Sequence, residues 1–130
     1  MYFFKNTNGL GNFALENLTV FASMYAVYPA DMDGDGDNDI LGISLYGGNN
    51  SYAGVAWFEN NNGVYAVGHD VSAIDARGES VQAADSDHDG DLDVLTSEGS
   101  ALSWYSNNGV GTFGAREVIR VGFTKISKEY

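Results

Sequence analysis

The sequence contains no cysteine, only six lysine and arginine residues, and no apolar run that approaches membrane-spanning length. Without cysteine the chain forms no disulfide bond, although this alone does not decide its compartment. So few cationic side chains argue against binding to nucleic acid or to an anionic membrane surface. A membrane-spanning helix needs about 20 mostly apolar residues, so no membrane insertion is expected. No segment has the apolar spacing of an amphipathic helix, and the sequence therefore favours strands and turns.

The composition is that of one modest folded domain with an unusual concentration of acid. The chain has 130 residues, of which 44% are hydrophobic and 13% aromatic, values too high for a disordered acidic tail. The net charge is −12, and ten of the eighteen acidic residues fall in two short segments. Two bound divalent cations would reduce this charge to −8. The acidity therefore indicates metal sites and not a basic partner.

These two segments, Asp31–Asp39 and Asp85–Asp93, share the pattern D-x-D-x-D-G-D-x-D. Calcium requires hard oxygen ligands that converge on one point and a glycine that allows a sharp turn. Positions 1, 3, 5 and 9 would supply side-chain oxygens, and position 7 a backbone carbonyl, the side chain there pointing to solvent. The predicted ligands of two calcium ions are Asp31, Asp33, Asp35, Asp37 and Asp39 in the first loop and Asp85, Asp87, Asp89, Asp91 and Asp93 in the second.

An EF-hand does not fit these loops. It would place a bidentate glutamate at position 12 and a helix on each side, whereas position 12 is Gly42 or Thr96 and strand-like sequence follows both loops. General acid–base catalysis fits poorly too, because carboxylates that hold a metal stay ionised. The two histidines, His69 and His88, are expected near solvent, and no serine has a nucleophile signature around it. We therefore expect a protein that is not an enzyme.

The chain is an internal repeat. Asp31 precedes Asp85 by 54 residues, and the same shift carries Phe3–Asn6 onto Trp57–Asn60. A third copy of this aromatic segment, Trp104–Asn107, follows Trp57 by 47 residues. The difference of seven is assigned to an insertion around residues 46–52, expected to protrude as a loop. Periods of this length made of short strands are typical of propellers and solenoids.

Each period contains four predicted strands, with the calcium loop between the first two and an Asn-Gly turn between the last two. One ring of each aromatic pair, Trp57/Phe58 and Trp104/Tyr105, is expected to pack between sheets while the other lies nearer the surface. The predicted strands are Tyr25–Ala30, Asp39–Ser44, Val55–Glu59 and Tyr65–Asp70 with the region to Ile74, then Ser80–Ala84, Asp93–Ser97, Leu102–Ser106 and Phe113–Val121.

The segment from Val81 to Leu95, followed by Leu102–Gly109, resembles an FG-GAP/VCBS-type repeat. Such repeats form the blades of β-propellers, such as the head of the integrin α subunit, and occur in many secreted bacterial, algal and fungal proteins. The resemblance implies all-β, propeller-type blades of four-stranded antiparallel sheets, each with a calcium loop between its first two strands. It also implies adhesion, or binding of carbohydrate or protein, and no catalytic role.

The chain holds about two and a half such blades. We expect a partial blade at residues 1–24, blades at 25–74 and 75–121, and a tail at 122–130 that leads toward a next blade. Open blade edges need a partner, either copies of the chain or further blades of a longer one. A glycan or protein ligand is a further expectation.

Calcium modules of this kind suit the millimolar calcium outside cells, so the expected location is extracellular. Residues 1–6 do not resemble a signal peptide. The alternatives are a self-assembling structural protein that forms a ring or filament, and the carbohydrate-binding module of a secreted polysaccharide-active enzyme.

Overall fold

The computed structural model describes residues 2–17, 24–44, 54–73 and 78–121. The regular secondary structure in these ranges consists of ten strands, without a helix. The insertion predicted at residues 46–52 and the tail at 122–130 lie outside them. The strands are β1 (Tyr2–Asn6), β2 (Phe13–Asn17), β3 (Met24–Ala30), β4 (Asp39–Ser44), β5 (Gly54–Asn61), β6 (Val64–Ala73), β7 (Gly78–Ala84), β8 (Asp93–Glu98), β9 (Ala101–Tyr105) and β10 (Glu117–Val121). No helix in the described ranges has the length and apolarity needed to cross a membrane.

The strands form a two-stranded and two four-stranded antiparallel sheets. The hairpin is β1–β2, the first sheet has the order β3-β4-β5-β6, and the second has the order β10-β9-β8-β7. Within each sheet, strands that are consecutive in sequence are paired, as expected for short strands joined by tight turns. The predicted all-β fold of propeller-type blades with four-stranded antiparallel sheets is confirmed.

The predicted Asn-Gly turns both join antiparallel strands, but the loop in the second sheet is longer and its last strand begins later than expected. Asn62 and Gly63 connect β5 to β6 with φ values of 53° and 85°, as a two-residue type I′ turn demands. In the second sheet a longer loop follows β9, closed by a bridge between Asn107 and Phe113. Strand β10 therefore begins at Glu117 and not near Phe113.

The core lies between the two four-stranded sheets. Alternate residues of the first sheet, among them Leu41, Ile43 and Val55, face Val81 and Val94 of the second, and all five are buried. The sheets approach closely at β7, because a Cβ atom added to Gly78 would overlap the side chain of Ile43.

Both rings of the first aromatic pair are buried, which corrects the expected inside–outside split. Trp57 is 3% exposed and Phe58 is fully buried. The opposite face of the first sheet is also covered, and Gly68 leaves the space that the Phe58 ring occupies. The split does occur in the second pair, where Tyr105 is buried and Trp104 is partly exposed.

The hairpin presents an exposed apolar face. Phe4 is paired with Leu15 and Asn6 with Phe13, which places all three apolar side chains on one side of β1–β2. Their exposed fractions are 69% for Phe4, 59% for Leu15 and 61% for Phe13.

Candidate metal centres

Each acidic loop joins the first two strands of its sheet, β3 to β4 or β7 to β8. The backbone turns left-handed twice in each loop. Position 6 is glycine in both, with φ of 93° at Gly36 and 101° at Gly90. Position 4 is Gly34 in the first loop and His88 in the second, with φ of 79° and 67°. The His88 side chain is exposed, so this residue contributes a turn to the loop.

The last aspartate of each loop is fully buried. It connects the loop to the third strand in the first sheet and to a residue just beyond the third strand in the second. Asp39 Oδ2 accepts a hydrogen bond from the N–H of Met32 at 2.8 Å, and Asp39 Oδ1 accepts one from the N–H of Asn60 at 2.8 Å. Asp93 accepts the equivalent bonds from Ser86 at 2.9 Å and Asn107 at 2.9 Å. A carboxylate has about four lone-pair sites, so each oxygen keeps a lone pair for a cation.

Several carboxylates of each loop lie close enough to share one ion. Oxygens of Asp31, Asp33 and Asp39 lie within 4.8 Å of one another, as do those of Asp85, Asp87 and Asp89. Calcium–oxygen distances are about 2.3–2.6 Å, so oxygens on opposite sides of one ion are separated by about 5 Å or less. The donor sets therefore fit calcium in both chemistry and spacing.

The remaining predicted ligands lie in the same loops but outside these groups of three. Asp35 at position 5 and Asp93 at position 9 are the predicted side-chain ligands that these groups do not include. Asp37 is exposed, whereas Asp91 is half-buried because its carboxylate lies against Gly109.

Backbone N–H groups bind the first aspartate of the first loop. Asp31 Oδ1 accepts bonds from Gly34 at 2.8 Å and Asp35 at 3.1 Å, and its Oδ2 accepts one from Gly36 at 3.0 Å. This arrangement holds the loop in a compact turn with its acidic side chains converging.

The electrostatics of both loops favour a bound cation. Burial raises the pKa of Asp39, and the charges of Asp33 and Asp35 raise it further, while the hydrogen bonds from Asn60 and Met32 act in the opposite direction. Desolvation also raises the pKa of Asp87, assisted by the charges of Asp89 and Asp93. Desolvation is the larger cause of both raised pKa values and repulsion between carboxylates adds to it, and a cation among these groups would offset both.

Two asparagines belong to the sites and were missed in the sequence. Asn60, on β5, donates from Nδ2 to the Asn38 carbonyl in the acidic loop of the first sheet, at 3.0 Å. Asn107 Nδ2 donates to the Leu92 carbonyl in the second acidic loop at 3.0 Å and to the Met32 carbonyl in the first acidic loop at 2.8 Å. The signal was present, since both residues end the repeated aromatic segment, 47 residues apart.

A cleft of about 140 Å³ lies between the two loops. Asp31 and Asp91 line it, together with the buried Asn107. Three glycines also line it: Gly34, Gly90 and Gly109.

The other histidine, His69, contacts residues of the first sheet. His69 lies within β6, not near a turn, and its ring stacks on Trp57 with centroids 4.5 Å apart. Its Nε2 is 3.8 Å from Glu59, and its side chain is 45% exposed. These contacts give His69 a packing role on the outer strand of the first sheet.

Comparison with known proteins supports the fold. Among solved structures, the chain is similar to a lectin of Agrocybe aegerita that is described as recognising non-reducing terminal N-acetylglucosamine specifically. The TM-score is 0.60 at 20% sequence identity over 90% of this chain, which spans 31% of the lectin's length. Comparison with curated proteins gives no match. The model of the FG-GAP-like repeat matches residues 31–96, which include both acidic loops and slightly more than half of the chain. The chain therefore belongs to the FG-GAP-like repeat family.

Proposed function

We propose that the chain is an extracellular calcium-binding repeat module with a structural or adhesive role. Calcium would bind once in each acidic loop and hold the first strand of a sheet to the second. The observation that carries this proposal is the convergence of three carboxylates in each loop, together with a buried last aspartate. This aspartate is hydrogen-bonded to the third strand in the first sheet and to Asn107, just beyond the third strand, in the second. In this position the ion would act on the fold and take no part in a reaction.

Calorimetric titration with calcium, joined to thermal melts, tests this function. We expect two calcium ions per chain and a melting temperature that rises with calcium concentration, because the ion binds the folded form preferentially. A tenfold excess of calcium over its Kd would add about 1.4 kcal/mol per site. The double variant Asp31→Ala and Asp85→Ala removes the first ligand from each loop and should abolish the response. An unchanged melting temperature in EDTA would refute the proposal.

The extracellular location follows from the affinity expected of such loops. Extracellular calcium modules bind with a Kd of about 0.1–1 mM, so the sites would fill only where calcium is near millimolar. A Kd in the nanomolar range of cytosolic buffers would contradict this part of the proposal, as would cytosolic residence of the protein in its host.

Glycan binding is the second candidate function. The cleft between the loops supports it, because the carboxylates of Asp31 and Asp91 and the amide of Asn107 line it next to the proposed calcium sites. Such acceptor groups suit sugar hydroxyls, and the similar lectin is described as recognising N-acetylglucosamine. Heteronuclear NMR titration with N-acetylglucosamine, in calcium and again in EDTA, tests it. Shifts at Gly34, Gly90 and Gly109 would support the cleft as the site, and a glycan array without hits would count against this function.

A further inference from the structure

A relay of three hydrogen bonds joins the last aspartate of the first acidic loop to the last aspartate of the second. Asp39 Oδ2 accepts from the N–H of Met32 at 2.8 Å. The Met32 carbonyl accepts from Asn107 Nδ2 at 2.8 Å, and the Asn107 N–H donates to Asp93 Oδ1 at 2.9 Å. Both aspartates are predicted calcium ligands at position 9. Two residues, Met32 and Asn107, therefore connect the two candidate metal centres.

The whole relay is shielded from solvent. Met32, Asp39 and Asp93 are fully buried, and Asn107 is 5% exposed. The Met32 side chain also belongs to the core between the sheets. A broken hydrogen bond at such a place leaves a buried polar group without a partner, which is costly. A displacement at one end of the relay is therefore passed on to the other end.

Met32 and Asn107 also adjoin other parts of the metal centres. Met32 lies between Asp31 and Asp33, two of the three carboxylates that converge in the first loop. Asn107 Nδ2 also bonds the carbonyl of Leu92, the residue before the last aspartate of the second loop, at 3.0 Å. The positions of these two residues thus affect the geometry of both sets of ligands.

The bond between the loops distinguishes Asn107 from its counterpart in the first sheet, Asn60. The Asn60 N–H donates to Asp39 as the Asn107 N–H donates to Asp93. Asn60 Nδ2 donates to the Asn38 carbonyl at position 8 of its loop, and Asn107 Nδ2 makes the equivalent bond in the second loop. Only Asn107 adds a bond to another loop within the described ranges. Asn60 is therefore a matched control for it.

The two acidic loops meet at a second point close to the relay. A Cβ atom added to Gly34 of the first loop would lie 3.4 Å from the Gly109 carbonyl oxygen. A Cβ atom added to Gly109 would lie 2.6 Å from a carboxylate oxygen of Asp91 in the second loop. The segment 107–109 is thus in contact with both loops at once.

We propose that Asn107 couples the two calcium sites, so that an ion in one loop raises the affinity of the other. This inference rests on the proposed calcium binding. Carboxylates of an empty loop repel one another, and the ion that draws them together also fixes Met32 or Asn107 at its end of the relay. The second ion then meets a site that is already ordered, and it loses less conformational freedom on binding.

Coupling between sites is reciprocal and commonly amounts to a factor of about 5–150 in affinity. We expect at least about fivefold here. Repulsion between the two bound ions acts in the opposite direction, but it does not depend on Asn107 and is screened by salt. The comparison of wild type with an Asn107 variant therefore isolates the contribution of the relay.

Calorimetric titration with calcium, in about 0.15 M salt, measures the coupling. Asp33→Ala disables the first loop and Asp87→Ala the second, each at position 3 and outside the relay. Each variant gives the affinity of one site while the other is empty, and the wild type gives the affinities of the pair. The product of the two wild-type binding constants should exceed the product of the single-site constants at least about fivefold.

The same titrations in Asn107→Ala and Asn60→Ala separate coupling from affinity. Asn107→Ala should still bind two ions but with a coupling factor near one. Asn60→Ala should weaken the first site and retain the coupling. Asn107→Ser is the milder variant, since a single hydroxyl donor can bond only one of the two carbonyls, and it should lower the coupling factor. Far-ultraviolet circular dichroism checks that each variant folds.

Amide hydrogen exchange supplies a readout that a purely structural role of Asn107 would not change. The Ser86 N–H donates to Asp93 at 2.9 Å and so reports on the second loop. In the Asp87→Ala chain calcium fills only the first loop, and it should nevertheless slow the exchange of the Ser86 N–H. Adding Asn107→Ala to that chain should remove this effect.

The outcomes separate the coupling from the function on which it rests. A wild-type chain that takes up no calcium would overturn both. Two ions bound with the affinities of the single-site variants would overturn the coupling alone and leave the calcium function intact. A coupling factor that persists in folded Asn107→Ala would overturn the role of Asn107.

Discussion

The side-chain amide of Asn107 donates a hydrogen bond to the backbone carbonyl of Met32 at 2.8 Å, across 75 residues of sequence. Asn107 lies in the loop just after β9 of the second sheet, and Met32 lies in the acidic loop of the first. The same amide also holds the Leu92 carbonyl of the second loop. One buried side chain therefore connects both candidate metal loops.

Asn107→Ala should destabilise the chain more than Asn60→Ala does. The first change removes a buried side chain and leaves two carbonyls in two different loops without their donor. The second removes a half-buried side chain that bonds the Asn38 carbonyl of one loop and the N–H of Gly63 in a turn. We expect a loss of about 1–3 kcal/mol for Asn107→Ala, measured by urea unfolding in calcium. Equal losses in the two variants would argue that the bond to Met32 contributes nothing.

Asp39→Asn should destabilise the fold even without calcium. Both carboxylate oxygens accept backbone N–H groups, so an amide would direct its own N–H₂ group at one of these donors. The expected loss is about 2–3 kcal/mol in EDTA. Asp37→Asn is the matched control, because its side chain is exposed, and should stay within about 0.5 kcal/mol. If both variants matched the wild type in EDTA, Asp39 would have no role apart from the metal.

Gly111→Ala should disrupt the contact between the sheets. The added methyl group would overlap the Trp57 ring at a backbone φ of 69°, and overpacking of this kind costs about 1–3 kcal/mol beyond the backbone strain. Gly9→Ala isolates the strain, since φ is 70° and no heavy atom lies within 4 Å of the new methyl group. Urea midpoints of the two variants give the comparison. A difference near zero would mean that the Trp57 contact does not hold the sheets together.

Stability should fall as the pH rises from 10 toward 12, because of Tyr105. Burial raises the pKa of Tyr105 from 10.0 to about 12, and its hydrogen bond to Glu98 and the charge of Glu98 act in the same direction. Between these values the unfolded chain releases the phenolic proton while the folded chain retains it, so the free energy of unfolding decreases with pH. Urea midpoints across this range should show a shallower slope for Tyr105→Phe. Parallel slopes would contradict the assignment.

Much of the candidate site could be predicted because its signal is local. The spacing of Asp31 to Asp39 requires a turn at Gly36, and the strand that follows is visible in the same stretch of sequence. The role of Asp39 as a connection to Asn60 could not be read this way, since 21 residues separate them. Only the pairing of β4 with β5 brings the two together.

The sequence by itself determined the repeat, the strands, the acidic loops and the position of the paired aromatic rings, since each depends on short-range spacing and turn chemistry. The tertiary structure decided which faces of the sheets meet. It buried both Trp57 and Phe58, gave Trp57 the carbonyl of Gly111, and left Trp104 without an acceptor among the described residues. Strand periodicity divides side chains between two faces but does not say what covers each face, and that depends on contacts between residues far apart in the chain.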